Sequence, residues 1–278
     1  MNGTGPADSG YRVPSLALVP FAVITFAITW GIVGSYVFAP DLMAAKFGEI
    51  SGSHPAFFLA TWAPALAAFI VILLHGRIAG LKAFLSRLAI WRCSTGWVVF
   101  LLIGIPLTFV AGAVAKGTPV NELVVFDSIQ GTLGAMLVML FLGPVEELGW
   151  RGVAQPILQR HMAPLWAGLI IGAIWGLWHL PAFYLGGTVY SGWGFAPFFV
   201  GNVSLAVIVT PLFNSTRGSI LLPALFHYQL INPLWPDAQP YDTYFFVVVA
   251  IAVVWLNRAT MFSRADAVTV VIPGDRGE

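Results

Sequence analysis

The chain has 278 residues, 58% of them hydrophobic and 9% charged, with a formal net charge of +1 and a mean hydropathy of +0.85. A soluble domain has about a quarter of its residues charged, so one globule of this size cannot hide such an apolar surplus and lipid must solvate it. The near-neutral balance argues against a nucleic-acid partner, and the lone Cys93 excludes an internal disulfide and a cysteine metal cluster.

The expected fold is all-α, a polytopic membrane helical bundle of about eight transmembrane helices, each near the roughly 20 residues that cross a bilayer. In chain order the candidate spans are residues 14–38, 56–75, 95–115, 131–160, 164–184, 194–213, 218–235 and 241–257. The first is too long for a cleaved signal sequence and lacks a small-residue cleavage site, so it reads as a retained helix. Residues 1–13 read as a polar N-terminus, 14–257 as one membrane domain without repeats or linkers, and 258–278 as a polar tail.

Basic residues set the orientation. With the N-terminus in the cytoplasm, Arg12, Arg77, Lys82, Arg87, Arg92, Arg151, Arg160, Arg217, Arg258, Arg264 and Arg276 lie on that side, leaving Lys46 and Lys116 on the other. An even number of spans then puts both termini of a multi-pass cell-membrane protein in the cytoplasm. The stretch "RIAGLKAFLSRLAIWR", residues 77–92, places Ile78, Leu81, Phe84, Leu85, Leu88 and Trp91 on one helical face with Lys82 and Arg87 beside it. It reads as a basic helix lying in the cytoplasmic interface; the alternative is a loop with a helical turn or two.

Ionisable groups within the spans are few and costly there. "FLGPVEELGWRGVAQP", residues 141–156, brings Glu146, Glu147 and Arg151 into an otherwise apolar run, and His179 and His227 stand on two other spans. A buried histidine is by itself more often structural than catalytic. A carboxylate and two imidazoles on three spans can instead activate a water by general-base catalysis, with or without a metal. Glu146 lies 17 residues before Ala163, in the turn between two spans, and His179 lies 16 after it. In an antiparallel pair both then sit about 24 Å from the turn. His227 reaches the same depth if that hairpin extends about 10 Å beyond the membrane. On a helix Glu147 and Arg151 are i and i+4 and pair on one face. Glu146, rotated by about 100°, is left to face a cavity and handle the proton.

"EELGWR", residues 146–151, resembles the EExxxR motif of the CPBP family, the CAAX-protease and bacteriocin-processing intramembrane proteases. "WGLWH", residues 175–179, resembles that family's FxxxH motif, with tryptophan in place of phenylalanine. "FNSTRGSILLPALFHYQLIN", residues 213–232, resembles the segment leading into its third motif, a histidine followed four residues later by asparagine. Here Ile231 holds that fourth position and the asparagine is Asn232, turned by about 100° on a regular helix. It reaches the site only if the helix is irregular there, and Pro233 supplies a reason.

The resemblance implies an intramembrane endopeptidase acting on a membrane-anchored peptide or protein substrate within the lipid bilayer. Glu146 would deprotonate the water. His179 and His227 would bind a metal or stabilise the oxyanion. Glu147, Arg151 and Asn232 complete the implied site. Two histidines and Glu146 match the ligand count of a catalytic zinc site, so zinc or another divalent metal is one expectation. A glutamate-activated water without metal is the other. If Glu146 is a ligand, Glu147 is the next candidate for the base. Two further readings stay open: a non-catalytic membrane scaffold or immunity protein of this architecture, and a proton-coupled transporter, against which stands the lack of repeated halves.

Overall fold

A computed structural model describes residues 12–126 and 128–274. The N-terminal stretch up to residue 11 and Arg276, both assigned above to the cytoplasmic side, lie outside the described residues. The bundle consists of α1 (Leu18–Phe38), α2 (Pro40–Phe47), α3 (Pro55–Thr61), α4 (Ala63–Leu85), α5 (Thr95–Lys116) and α6 (Ile129–Leu140). After a break come α7 (residues 147–159), α8 (Pro164–Trp178), α9 (Phe195–Ser215), α10 (Leu221–Leu230) and α11 (Tyr241–Leu256). The chain is an all-α polytopic membrane bundle.

Six helical segments among the described residues are long and apolar enough to cross a membrane, rather than eight. The two expected spans that fall short are the last ones. With ten residues, α10 rises about 15 Å, half of a hydrocarbon core of about 30 Å. Asn232, Pro233, Pro236 and Pro240 then keep the backbone out of a helix until α11, which has 16 residues. Such irregular backbone is tolerated at membrane depth where it lines a cavity, and residues 230–233 and 235–239 do line one.

The expected span 131–160 is interrupted as well. Leu142 leaves the helical region (φ −93°, ψ −90°), and Gly143–Glu146 form a 3-10 turn opened by Pro144. Trp62 Nε1 donates to the Phe141 carbonyl at the break, at 2.8 Å. Within α7, Trp150–Ala154 form a π turn. A π turn displaces one residue from the helical repeat and frees carbonyls from their usual partners. The Gly152 carbonyl faces Pro156 four residues on, which has no N–H to give, and it accepts from Arg87 Nη1 at 3.3 Å.

The two long packing contacts that frame the site are α8 on α9 and α9 on α11, with α1 and α4 packed together on the other flank. Gly168, Gly172 and Gly176 form a stripe along α8. A Cβ on Gly172 would come within 2.6 Å of Val203 Cα. Small residues at such a crossing let two membrane helices approach backbone to backbone.

Residues 77–92 depart in part from the expected interfacial helix. A break does fall at Arg77 (φ 53°), and helix resumes to Leu85, followed by a 3-10 turn at Ser86–Ala89. Arg87, however, does not flank a membrane-facing stripe. It is buried, with Nε donating to the Gly218 carbonyl at 2.6 Å and Nη1 to the Val271 carbonyl at 3.0 Å. Arginine's planar fork suits this clasp, because it can serve carbonyls from several segments at once.

Part of the expected polar tail packs against the bundle. Val271 and Ile272 are fully buried in the core that contains Phe21, Phe84 and Trp150. Gln159 Nε2 donates to the Val268 carbonyl at 2.7 Å, and Arg160 Nε donates to that of Thr269 at 3.0 Å. Arg160 Nη1 also donates to the Val13 carbonyl at 2.6 Å. The beginning of α1 and the segment 268–272 therefore share one end of the bundle.

Candidate active site

The site begins at the 3-10 turn before α7. Glu146 closes this turn and Glu147 opens α7, and their side chains are aimed in different directions. Both are buried, at 3% and 1% relative exposure. Glu146 lines a cavity of about 680 Å³, together with His179, His227 and Asn232, whereas Glu147 and Arg151 are not among its lining residues. The wall is otherwise mostly apolar and aromatic, including Trp178, Trp193, Phe198 and Phe246.

Glu147 looks away from the cavity at two partners. Its Oε2 lies 3.3 Å from Arg151 Nε, the expected i, i+4 ion pair. The contact is electrostatic, since neither atom meets hydrogen-bond geometry and the Arg151 nitrogens have no acceptor among the described residues. Its Oε1 lies 2.9 Å from His227 Nδ1. An ionised carboxylate can only accept, so Nδ1 carries the proton. Nε2 of the neutral ring is then an acceptor.

His179 is held in the same tautomer. Its Nδ1 donates to the Trp175 carbonyl one turn back, at 2.9 Å, again leaving Nε2 as the acceptor of the neutral ring. The Trp175 side chain does more. Its Nε1 donates to Glu146 Oε2 at 2.8 Å, and its ring meets that of His227 edge to face, with centroids 5.2 Å apart. One residue thus touches Glu146, His179 and His227. The sequence marked Trp175 only as the aromatic opening a motif, and its signal was the tryptophan standing where the family has phenylalanine, which has no N–H to give.

Gly143 is the second residue missed in the sequence. A Cβ there would lie 2.6 Å from His227 Nε2 and 2.7 Å from Ile231 Cδ1. Only a residue without a side chain lets α10 close against this turn. Ile231, the residue four after His227, sits beside the histidine. Asn232 lines the cavity, but its amide is bound locally: Nδ2 donates to Gln229 Oε1 at 3.0 Å and Oδ1 accepts from Leu234 N at 3.1 Å. Gln229 is in turn tied to the Leu101 carbonyl at 2.8 Å, within the π turn Phe100–Gly104 of α5.

Two neutral imidazole Nε2 atoms and a carboxylate are the donor types that a zinc ion takes. Among the described residues, though, no three His, Cys, Asp or Glu side chains converge as a metal-holding group.

Residues from the three motif-bearing segments thus line one cavity. The family model described as "Type II CAAX prenyl endopeptidase Rce1-like" matches residues 128–230, which takes in both glutamates, Arg151 and both histidines. The chain has a family-level match to the CAAX protease/Abi-like (CPBP) family. Among curated relatives, "CAAX prenyl protease 2" of Methanococcus maripaludis is 28% identical over 141 residues, covering 46% of this chain and 52% of its own length. "Lysostaphin resistance protein A" of Staphylococcus aureus is 25% identical over 225 residues, covering 77% of this chain and 48% of its own length. The chain therefore spans about half the length of these curated CPBP relatives.

Proposed function

We propose that this chain is an intramembrane endopeptidase that cleaves membrane-anchored peptide or protein substrates with a water activated by Glu146. The observation that carries this reading is the unequal commitment of the two glutamates. Glu147 is engaged by Arg151 and His227, while Glu146 has one oxygen fixed by Trp175 and faces the cavity.

In this reading a water sits between Glu146 and the scissile carbonyl carbon. Glu146 takes its proton as the oxygen attacks, and negative charge moves to the carbonyl oxygen. When the C–N bond breaks, Glu146 returns the proton to the leaving amine. His179 and His227 flank the reacting group. Held by Glu147 in the Nδ1–H tautomer, His227 presents Nε2 as an acceptor that orients an O–H of the attacking water. The apolar wall excludes bulk water and accepts an unfolded segment of the substrate. A metal held by His179 and His227 would supply Lewis-acid polarisation of the carbonyl; no step above is routed through one. We further assign both termini to the cytoplasm, since the start of α1 and residues 268–272 share the end of the bundle that carries Arg87 and Arg160.

The scaffold reading has one observation in its favour, the Asn232 amide turned to Gln229 and Leu234. Incubating the purified full chain with a panel of membrane-anchored peptides separates the two. Cleavage by the wild type and not by Glu146→Gln supports the protease. A folded wild type that cleaves none of the panel, or cleavage indifferent to Glu146→Gln, sinks it.

A further inference from the structure

The connection between α8 and α9 supplies part of the cavity wall, including Thr188, Tyr190 and Trp193. Tyr190 stands in a short 3-10 turn, Val189–Gly192. Four rings clamp it, with centroid distances of 5.6 Å to His179, 5.5 Å to Phe183, 5.6 Å to Trp193 and 5.6 Å to Phe198. So the phenol is fixed beside a histidine of the proposed site by packing alone. Its hydroxyl has no hydrogen-bond partner among the described residues. A tyrosine enclosed in this way normally finds one. Burial, and secondarily the nearby Glu146 carboxylate, pushes the phenol up from its ordinary value. It is therefore a neutral O–H donor at physiological pH.

Several neighbouring donors are already committed. Trp175 Nε1 serves Glu146 and Trp178 Nε1 serves Thr29. The Nδ1–H of His179 is bound to a carbonyl, that of His227 to Glu147, and the Asn232 amide to Gln229. With both imidazoles neutral, one Asn232 Nδ2–H is left, and the unpartnered Asn202 Nδ2 and Trp235 Nε1 also belong to residues lining the cavity; of these free donors Tyr190 is the one whose ring packs against His179. Yet hydrolysis builds negative charge on that oxygen, and fixed donors aimed at it contribute strongly to rate.

We propose that Tyr190 donates its hydroxyl hydrogen bond to the scissile carbonyl oxygen and stabilises the oxyanion. This rests on the proteolytic reading above. The hydroxyl keeps its proton throughout, and water, Glu146 and the leaving amine exchange theirs as already described. The tyrosine is thus a catalytic residue outside the three motifs.

The test is Tyr190→Phe in the full chain, which keeps the ring and removes the donor. We expect kcat to fall about 100-fold with KM within about twofold, in line with the loss of one oxyanion donor, and the melting temperature to stay at the wild-type value. Tyr184→Phe, on a ring 71% exposed and outside the cavity lining, should cleave normally. A phosphinate peptide that mimics the tetrahedral oxyanion should bind Tyr190→Phe at least about tenfold more weakly than wild type. The uncleaved peptide should bind Glu146→Gln and the Glu146→Gln/Tyr190→Phe double variant equally. Wild-type kcat in Tyr190→Phe alongside an inactive Glu146→Gln overturns the tyrosine and leaves the protease intact. Loss of stability in Tyr190→Phe matching its loss of activity, with unchanged phosphinate affinity, also overturns it. No cleavage by either wild type or Glu146→Gln removes both readings together.

Discussion

His227 and Glu147 are 80 residues apart in sequence and 2.9 Å apart in space, with the imidazole Nδ1 donating to the carboxylate. That one contact fixes the tautomer of a cavity histidine and, through the same carboxylate, ties it to Arg151 on α7. Removing any member leaves a buried charge or dipole without its counterpart, which is far more costly than the intact pair is worth.

The two glutamates should consequently respond differently to the same substitution. Glu146→Gln is expected to fold and melt like the wild type and to lose cleavage. Arg151→Ala strands the Glu147 carboxylate and should lower stability by about 3 kcal/mol and activity with it. Chemical denaturation in detergent and a cleavage assay read both. A stable, inactive Glu147→Gln beside a normally active Glu146→Gln would reverse the assignment.

His179→Ala and His227→Ala should each reduce cleavage by at least about 100-fold while the proteins insert and purify as single species. Near-normal cleavage by either would return that histidine to a structural role.

Trp175→Phe removes a single N–H from Glu146 and conserves most of the ring packing. A hydrogen bond to a charged group is worth about 1.5–3 kcal/mol, so cleavage should fall about tenfold or more with little change in melting temperature. Unchanged cleavage would mean that Glu146 needs no fixing by the indole.

A divalent metal on His179, His227 and Glu146 requires three results together. Chelation must inactivate, zinc must restore, and a variant at any of the three positions must lose stoichiometric metal. Activity that survives exhaustive chelation, with no metal found by elemental analysis, assigns the water to Glu146 alone.

Reporter fusions at Trp91 and after residue 278 should both read as cytoplasmic, since residues 268–272 and Arg87 meet at one end of the bundle. An external signal from either rejects that orientation.

Much of the site was legible because its chemistry is expensive. Glu146, Glu147 and Arg151 are conspicuous in an apolar run, and the equal spacing of Glu146 and His179 about Ala163 needs only the helical rise to bring them together. What stayed hidden depends on contacts rather than on pattern. Trp175 looks like any core tryptophan until its N–H is seen on Glu146. Gly143 matters only because His227 approaches it from a different helix, and Tyr190 lies in a connection without a motif. The span count failed for a related reason. Hydropathy sees the apolar residues of 218–235 but cannot see that Asn232 and the following prolines end the helix at Leu230 against a cavity. Arg87 was misassigned because periodicity describes one helix, and its partners are carbonyls of Gly152, Gly218 and Val271 on other segments.

The clasp around residues 268–272 also carries a consequence for biogenesis. Those carbonyls leave the ribosome after every helix they bind, so until they arrive Arg87 and Gln159 lack acceptors that the finished bundle supplies. Arg87 reaches both the late segment and the Gly152 carbonyl of α7. Closure of that end and final seating of α7 are therefore coupled in time. A nascent chain stalled short of residue 268 would expose an incomplete polar end to the cell's quality control before α7 is fully seated.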